Sequence, residues 1–186
     1  MKHLFAIAAF GCLPVFAQAD CQPVSGAVQL TPGASCEALE GQLQHAHFTG
    51  DCFAVTLALD GFPTSRGLAG LTREVTASLE GDVALTPLFI PEDSDPSLVR
   101  QQILTARSAI SIGWGRHRTT VYTSDLINVS RPQFGAAGEL VGGFTTEQVT
   151  ITHTDGKGPL AGVSGTLAVL GNSIGRGAPV VGELCN

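Results

Sequence analysis

Positive charge is what this chain most lacks. Ten Lys and Arg stand against 16 Asp and Glu, and the basic residues form no run. A polyanion is held by clustered cations that displace its counterions, so nucleic acid and an anionic membrane surface are excluded as partners. Tyr and Trp are scarce as well, one of each, leaving Tyr122 and Trp114 as the only aromatics with a polar tip. No Cys-x-x-Cys pair occurs, which removes the compact zinc spacings. Beyond the N-terminus no apolar run reaches the roughly 20 residues that cross a bilayer. No stretch holds a helical period for ten residues.

What is present begins with a processing signal. Lys2 and His3 precede a mostly apolar run over residues 4–16, and Ala17-Gln-Ala19 follows as a small-x-small cleavage site. Lipidation at Cys12 is disfavoured because Ala9-Phe-Gly11 lacks the usual leading aliphatic residue. Residues 1–19 are therefore read as an export signal, and residues 20–186 as one soluble domain, secreted or periplasmic. Without Lys2 the balance is 9 basic against 16 acidic residues.

Four cysteines remain after Cys12 leaves with the signal: Cys21, Cys36, Cys52 and Cys185. An even count behind an export signal implies two disulfides rather than a metal site. Three pairings are open. Cys52 with Cys185 and Cys21 with Cys36 is the favoured one, because Cys52 opens the first long strand and Cys185 ends the last. Joining first strand to last closes a barrel.

Along the chain, residues 20–50 read as turn-rich, with a brief strand at 27–30 and one helical turn near 36–43 capped by Ser35. Period-two alternation then marks strands at 52–59, 67–79, 83–90, 104–114, 116–129, 143–153, 165–170 and 180–185. An acidic loop at 91–96 precedes a short helix at 97–102, with Asp95 as N-cap and Pro96 in the first turn. Twenty-three glycines, few charges and short connections together predict an all-β fold, a single antiparallel barrel of about eight strands.

Several apparent motifs dissolve on inspection. Gly156-Lys157 is followed by Gly-Pro and flanked by strands, so it is a turn and not a phosphate loop. Gly113-Trp-Gly115 is no dinucleotide fingerprint. Ser111 lies inside an unbroken alternating run, not at the strand-to-helix turn a nucleophile elbow needs. His45 and His47 share one side of an extended segment, but no spacing supplies a third ligand, so neither metal nor cofactor is expected. Asn128-Val-Ser130 is a glycosylation sequon only in a glycosylating cell.

The strand at 147–153 is more suggestive. Its odd positions, Glu147, Val149, Ile151 and His153, form an apolar face with an ionisable group at each end. That pattern points Glu147 and His153 into a barrel, where a carboxylate and an imidazole can orient a small ligand or move a proton. Strand ends usually reach solvent, however, and buried charges are rare unless paired, so rim positions are the plainer reading. Asp125 shares this ambiguity, with Arg107, Arg116 or Arg118 as partners. Trp114 shares the apolar face of residues 104–114. Such a Trp is usually core, yet Trp114 and Tyr122 are also suited to line an aromatic or lipid site.

Residues 148–185 resemble the secreted bacterial proteins of the allene oxide cyclase barrel-like superfamily, related in fold to dirigent proteins. The resemblance rests on the turn Thr154-Asp-Gly-Lys-Gly-Pro-Leu-Ala-Gly-Val-Ser-Gly165, the apolar strand after it, the terminal Gly182-Glu-Leu-Cys185 and the early trio of cysteines. The turn departs from the group's pattern at Asp155 and Pro159. The resemblance implies an eight-stranded antiparallel barrel with a central apolar cavity, in a superfamily that includes cyclases and proteins steering reactive intermediates. It assigns no catalytic residue, because the matched motif builds a turn.

Three functions follow as expectations: binding of a small apolar or phenolic ligand in the barrel, a cyclase or isomerase acting by confinement, and an extracellular interaction or inhibitor module. The first two need a cavity. The third needs a filled interior and a contiguous apolar patch outside.

Overall fold

A computed structural model describes residues 20–43, 46–80, 83–85, 99–136, 140–158 and 160–186. The export signal read at 1–19, His45, the acidic loop at 91–96 and most of the strand read at 83–90 lie outside the described residues.

Among the described residues nine strands form one antiparallel sheet. They are β1 (Cys21–Pro32), β2 (Phe48–Leu59), β3 (Ser65–Glu80), β4 (Val83–Leu85), β5 (Val99–Ile112), β6 (Thr119–Phe134), β7 (Leu140–Gly156), β8 (Ser164–Leu170) and β9 (Ala178–Cys185). Eight of them run in a closed circuit, β1-β2-β3-β5-β6-β7-β8-β9 and back to β1, while β4 pairs with the far end of β3. The sheet is thus ring-like, and closure leaves the eight strands no unpaired edge along their shared length. One short helix, α1 (Cys36–Glu40), lies between β1 and β2.

The turn-rich reading of residues 20–50 is corrected over its first part. Cys21–Pro32 is a full strand, hydrogen-bonded to β2 on one side and to β9 on the other. Pro23 and Gly26 obscure it, since both are poor strand formers. The cysteine pairing is corrected with it: the bonds are Cys21–Cys185 and Cys36–Cys52. The first strand does join the last, but that first strand is β1, where Cys21 stands directly opposite Cys185 in register. Cys52 instead turns outward and ties α1 to the sheet.

Two further expectations change. Residues 99–102, the described part of the helix read at 97–102, belong to β5, held by pairing with β3 and β6 on either side. The alternation read through 67–79 is broken, because β3 slips between Thr72 and Ala77 against Thr105 and Ile103. The turn of helix near 36–43 is present, although the Ser35 side chain makes no capping bond.

Closing so small a circuit requires sharply coiled strands. Gly26, Gly67 and Gly182 lie inside strands, at points where a Cβ would strike the backbone of the neighbour at Ala58, Ala109 and Thr166 respectively. Glycine inside a strand commonly marks such a corner. Gly70 serves differently: its missing side chain leaves room for the Phe48 ring and the Cys52 sulfur.

The interior is packed at one end and hollow toward the other. Leu59, Ile112, Ile151 and Leu184 fill the packed end, and Leu160 and Val163, from the glycine-rich turn between β7 and β8, close it. Fully burying each such side chain contributes about 1.5–3 kcal/mol. A second, smaller cluster sits on the outer face, where Leu39 of α1 packs with Cys52, Ala109 and Tyr122.

Candidate functional site

Above the packed end the walls part. A narrow void of about 60 Å³ lies among Val55, Ile110, Val149 and Leu167. A cavity of about 330 Å³ continues from it, past Leu104 and Val129, to Asn172, Ser173 and Ile174 in the loop between β8 and β9. Leu30, Phe53, Leu71, Ile127 and Glu147 line both, so the two adjoin. The mouth reaches solvent where Ile174 is 41% exposed. A backbone bond from Leu30 N to Ser173 O and another from Gly175 N to Leu30 O fasten that loop to β1.

Four polar side chains interrupt the apolar wall of the narrow void: Ser108 on β5, Thr123 and Asp125 on β6, and Glu147 on β7. They belong together because strand alternation turns residues 121, 123, 125, 127 and 129 of β6 to one face. Val149 of β7 stands opposite Asp125 and Glu147 opposite Ile127. Asp125 and Glu147 are therefore diagonal neighbours on adjacent strands, about 7–8 Å apart at Cα. Asp125 is only 2% exposed. Its Oδ2 accepts a 2.9 Å bond from the Ser108 hydroxyl, whereas its Oδ1 and the Thr123 hydroxyl have no hydrogen-bond partner.

Burial and proximity set the electrostatics. Loss of solvation raises the Asp125 pKa to about 6; the Thr123 and Ser108 hydroxyls and the Arg107 charge pull the other way without cancelling it. The Thr123 hydroxyl acts on the carboxyl as a nearby donor, although it falls short of full hydrogen-bond geometry. Glu147 rises further, to about 8, first by burial and then by repulsion from Asp125. The residue as a whole is only partly buried, but protein surrounds the carboxyl closely enough for desolvation to dominate. At neutral pH the pair holds close to one proton, so one acid is ionised beside a neutral one. Among the described residues no Lys, Arg or His lines either part of the cavity.

The other expected site residues lie elsewhere. His153 does not point inward. Tyr122 stands opposite His153 and Thr123 opposite Ile151, so Thr152 is an extra residue that flips the alternation of β7. His153 is exposed and stacks on the Tyr122 ring, centroids 4.2 Å apart. Tyr122 is buried beneath α1 on the outer face and donates its hydroxyl to Asp155 at 2.9 Å. Burial, then Asp155, raises its pKa. Trp114 is corrected from an apolar-face position: β5 ends at Ile112, Gly113 turns the chain with φ 96°, and the indole is 76% exposed. His47 is exposed. The described residues contain no cluster of three or more His, Cys, Asp and Glu able to hold a metal ion.

Ser108 and Thr123 were not singled out by the sequence reading. Their signal was available: each is a polar residue on the apolar face of an alternating strand. On the outside, Leu126, Leu170 and Val181 are 44–47% exposed. The row from Leu126 across to Val181 is interrupted by Gln148, with Thr146 and Thr166 beside it.

No helix among the described residues is long and apolar enough to cross a membrane. Two intramolecular disulfides accord with an oxidising, extracytoplasmic compartment. Comparison of the chain with known protein families, with characterised proteins and with solved structures gave no match.

Proposed function

We propose that this protein binds a small, mainly apolar molecule inside the ring. The observation that carries the reading is the hollow upper interior, about 330 Å³ of space walled by Leu30, Phe53, Leu71, Leu104 and Ile127. Its volume lies at the low end of ligand cavities, roughly 300–1,000 Å³, which suits a ligand smaller than a long-chain lipid. A void of this size costs stability unless something fills it. An interaction module with a filled interior is less well supported, because the interior is hollow and polar residues break the outer patch.

The test is a thermal-shift screen of medium-chain aliphatic and phenolic compounds, repeated with Ile127→Trp. Ile127 lines both parts of the cavity, so the indole should fill the space and abolish the shift. At 100 times its dissociation constant a ligand stabilises by about 2.7 kcal/mol. Absence of any shift in the parent protein, or shifts that persist unchanged in Ile127→Trp, would refute interior binding.

One observation favours a second reading, a cyclase or isomerase acting by confinement. Asp125 and Glu147 share an apolar enclosure with pKa values of about 6 and about 8, a split that suits a base and an acid near neutral pH. An allene oxide cyclase-like origin belongs to the same proposal and rests on residues 148–185 alone.

A further inference from the structure

We infer that the ligand carries a protonated primary amine at one end of its apolar body, and that the ammonium group docks between Asp125 and Glu147. The inference rests on the reading that the interior binds a ligand, and it names the chemistry of that ligand's head.

The geometry points there for three reasons. Asp125 Oδ1 and Thr123 Oγ1 are buried, face the void and have no hydrogen-bond partner. An unmet carboxylate oxygen in apolar surroundings is costly, and an N–H donor from the ligand removes that cost. An ammonium supplies three donors and no acceptor, matching a floor where both carboxyls are acceptors once ionised. Finally, the walls above this floor are mostly apolar, with Leu30, Phe53, Leu71, Leu104 and Val129 among them and polar groups at Thr145, Asn172 and Ser173, so an aliphatic tail fits behind the head.

Charge selects the amine over an alcohol or an acid. Among the described residues, the side chains that β1, β2, β3, β8 and β9 turn toward the pair are uncharged. On β5 Ser108 faces it, while Arg107 acts on Asp125 from the neighbouring position of that strand. Among the described residues, no wall cation competes with a ligand cation. A carboxylate head would meet two acids, and a hydroxyl would leave their repulsion in place. An ammonium stabilises both ionised forms, so its arrival near neutral pH expels the proton the pair retains. Binding then tightens as pH rises from 5 toward 8.

Isothermal titration calorimetry with octylamine, octan-1-ol and octanoic acid tests this. Runs at pH 7.5 in two buffers of different ionisation enthalpy count the protons released. Octylamine should bind at least ten-fold tighter than octan-1-ol, release up to one proton, and weaken at least ten-fold at pH 5. Glu147→Gln should remove the proton release, because Asp125 is then already ionised. Asp125→Asn with Glu147→Gln should bring octylamine down to the level of octan-1-ol, with circular dichroism reporting the fold. Octylamine binding no tighter than octan-1-ol overturns the amine assignment and leaves interior binding standing. A preference that survives in the double variant also overturns it. If none of the three binds, interior binding fails and the amine assignment with it.

Discussion

Glu147 and Asp125 pull stability in a direction unusual for acidic residues. A carboxyl whose pKa rises on folding holds its proton more tightly in the folded chain than in the unfolded one. Stability is therefore fully present below the unfolded value, 4.5 for Glu147, and is lost as pH climbs through the folded value near 8. Asp125 adds the same trend between 3.8 and about 6. At about 1.4 kcal/mol per pKa unit the loss amounts to a few kcal/mol. Urea unfolding should show the protein more stable at pH 5 than at pH 8.5. Glu147→Gln should remove much of that slope, raising the melting temperature at pH 8.5 by roughly 5–10 °C and hardly changing it at pH 5. A wild-type profile that is flat or rises with pH contradicts the burial of the pair. At this scale the sequence was half legible. Alternation aims both Glu147 and His153 inward, with rim positions as the plainer reading; the structure puts Glu147 on the cavity wall and turns His153 out, because one extra residue at Thr152 inverts everything after it. A bulge is set by the fit between two strands, and β7 read alone carries no sign of it.

Among the elements, the two disulfides do different work. Cys21–Cys185 joins β1 to β9 across 164 residues, whereas Cys36–Cys52 spans 16 and presses α1 onto the outer face. If each acts mainly by restricting the unfolded chain, the longer loop stabilises more, about 5 kcal/mol against about 3. Guanidinium unfolding of Cys21→Ser/Cys185→Ser and Cys36→Ser/Cys52→Ser should rank them in that order. The reverse order would mean that α1 packing, with Leu39 wholly buried against Cys52 and Tyr122, outweighs loop entropy. Element reading found the strands that became β8 and β9, took the start of β5 for a helix, and failed at β1. Proline and glycine there mask a strand that exists because β2 and β9 supply partners on both sides.

For the whole molecule, closure is the governing feature. Neighbours in the ring are neighbours in sequence except where β3 meets β5, with β4 between them in the chain, and where β9 meets β1. A chain ending at residue 170 with Cys21→Ser would lose β9 and leave β1 and β8 as bare edges. Bare edges recruit other strands, so this variant should elute as large oligomers on size-exclusion chromatography while the full chain does not. Elution unchanged from the parent would show that the remaining strands close without β9.

The sequence by itself determined the period-two strand pattern, the even set of four cysteines that pair, and the acidic balance of the chain. Those properties are local: they follow from periodicity, charge and counting. Only the tertiary structure decided which cysteines pair, which way β7 faces after Thr152, and that Ser108, Thr123, Asp125 and Glu147 meet around one void. Such meetings depend on register between strands and on the shape of a closed ring, and neither quantity is written in any single segment of the chain.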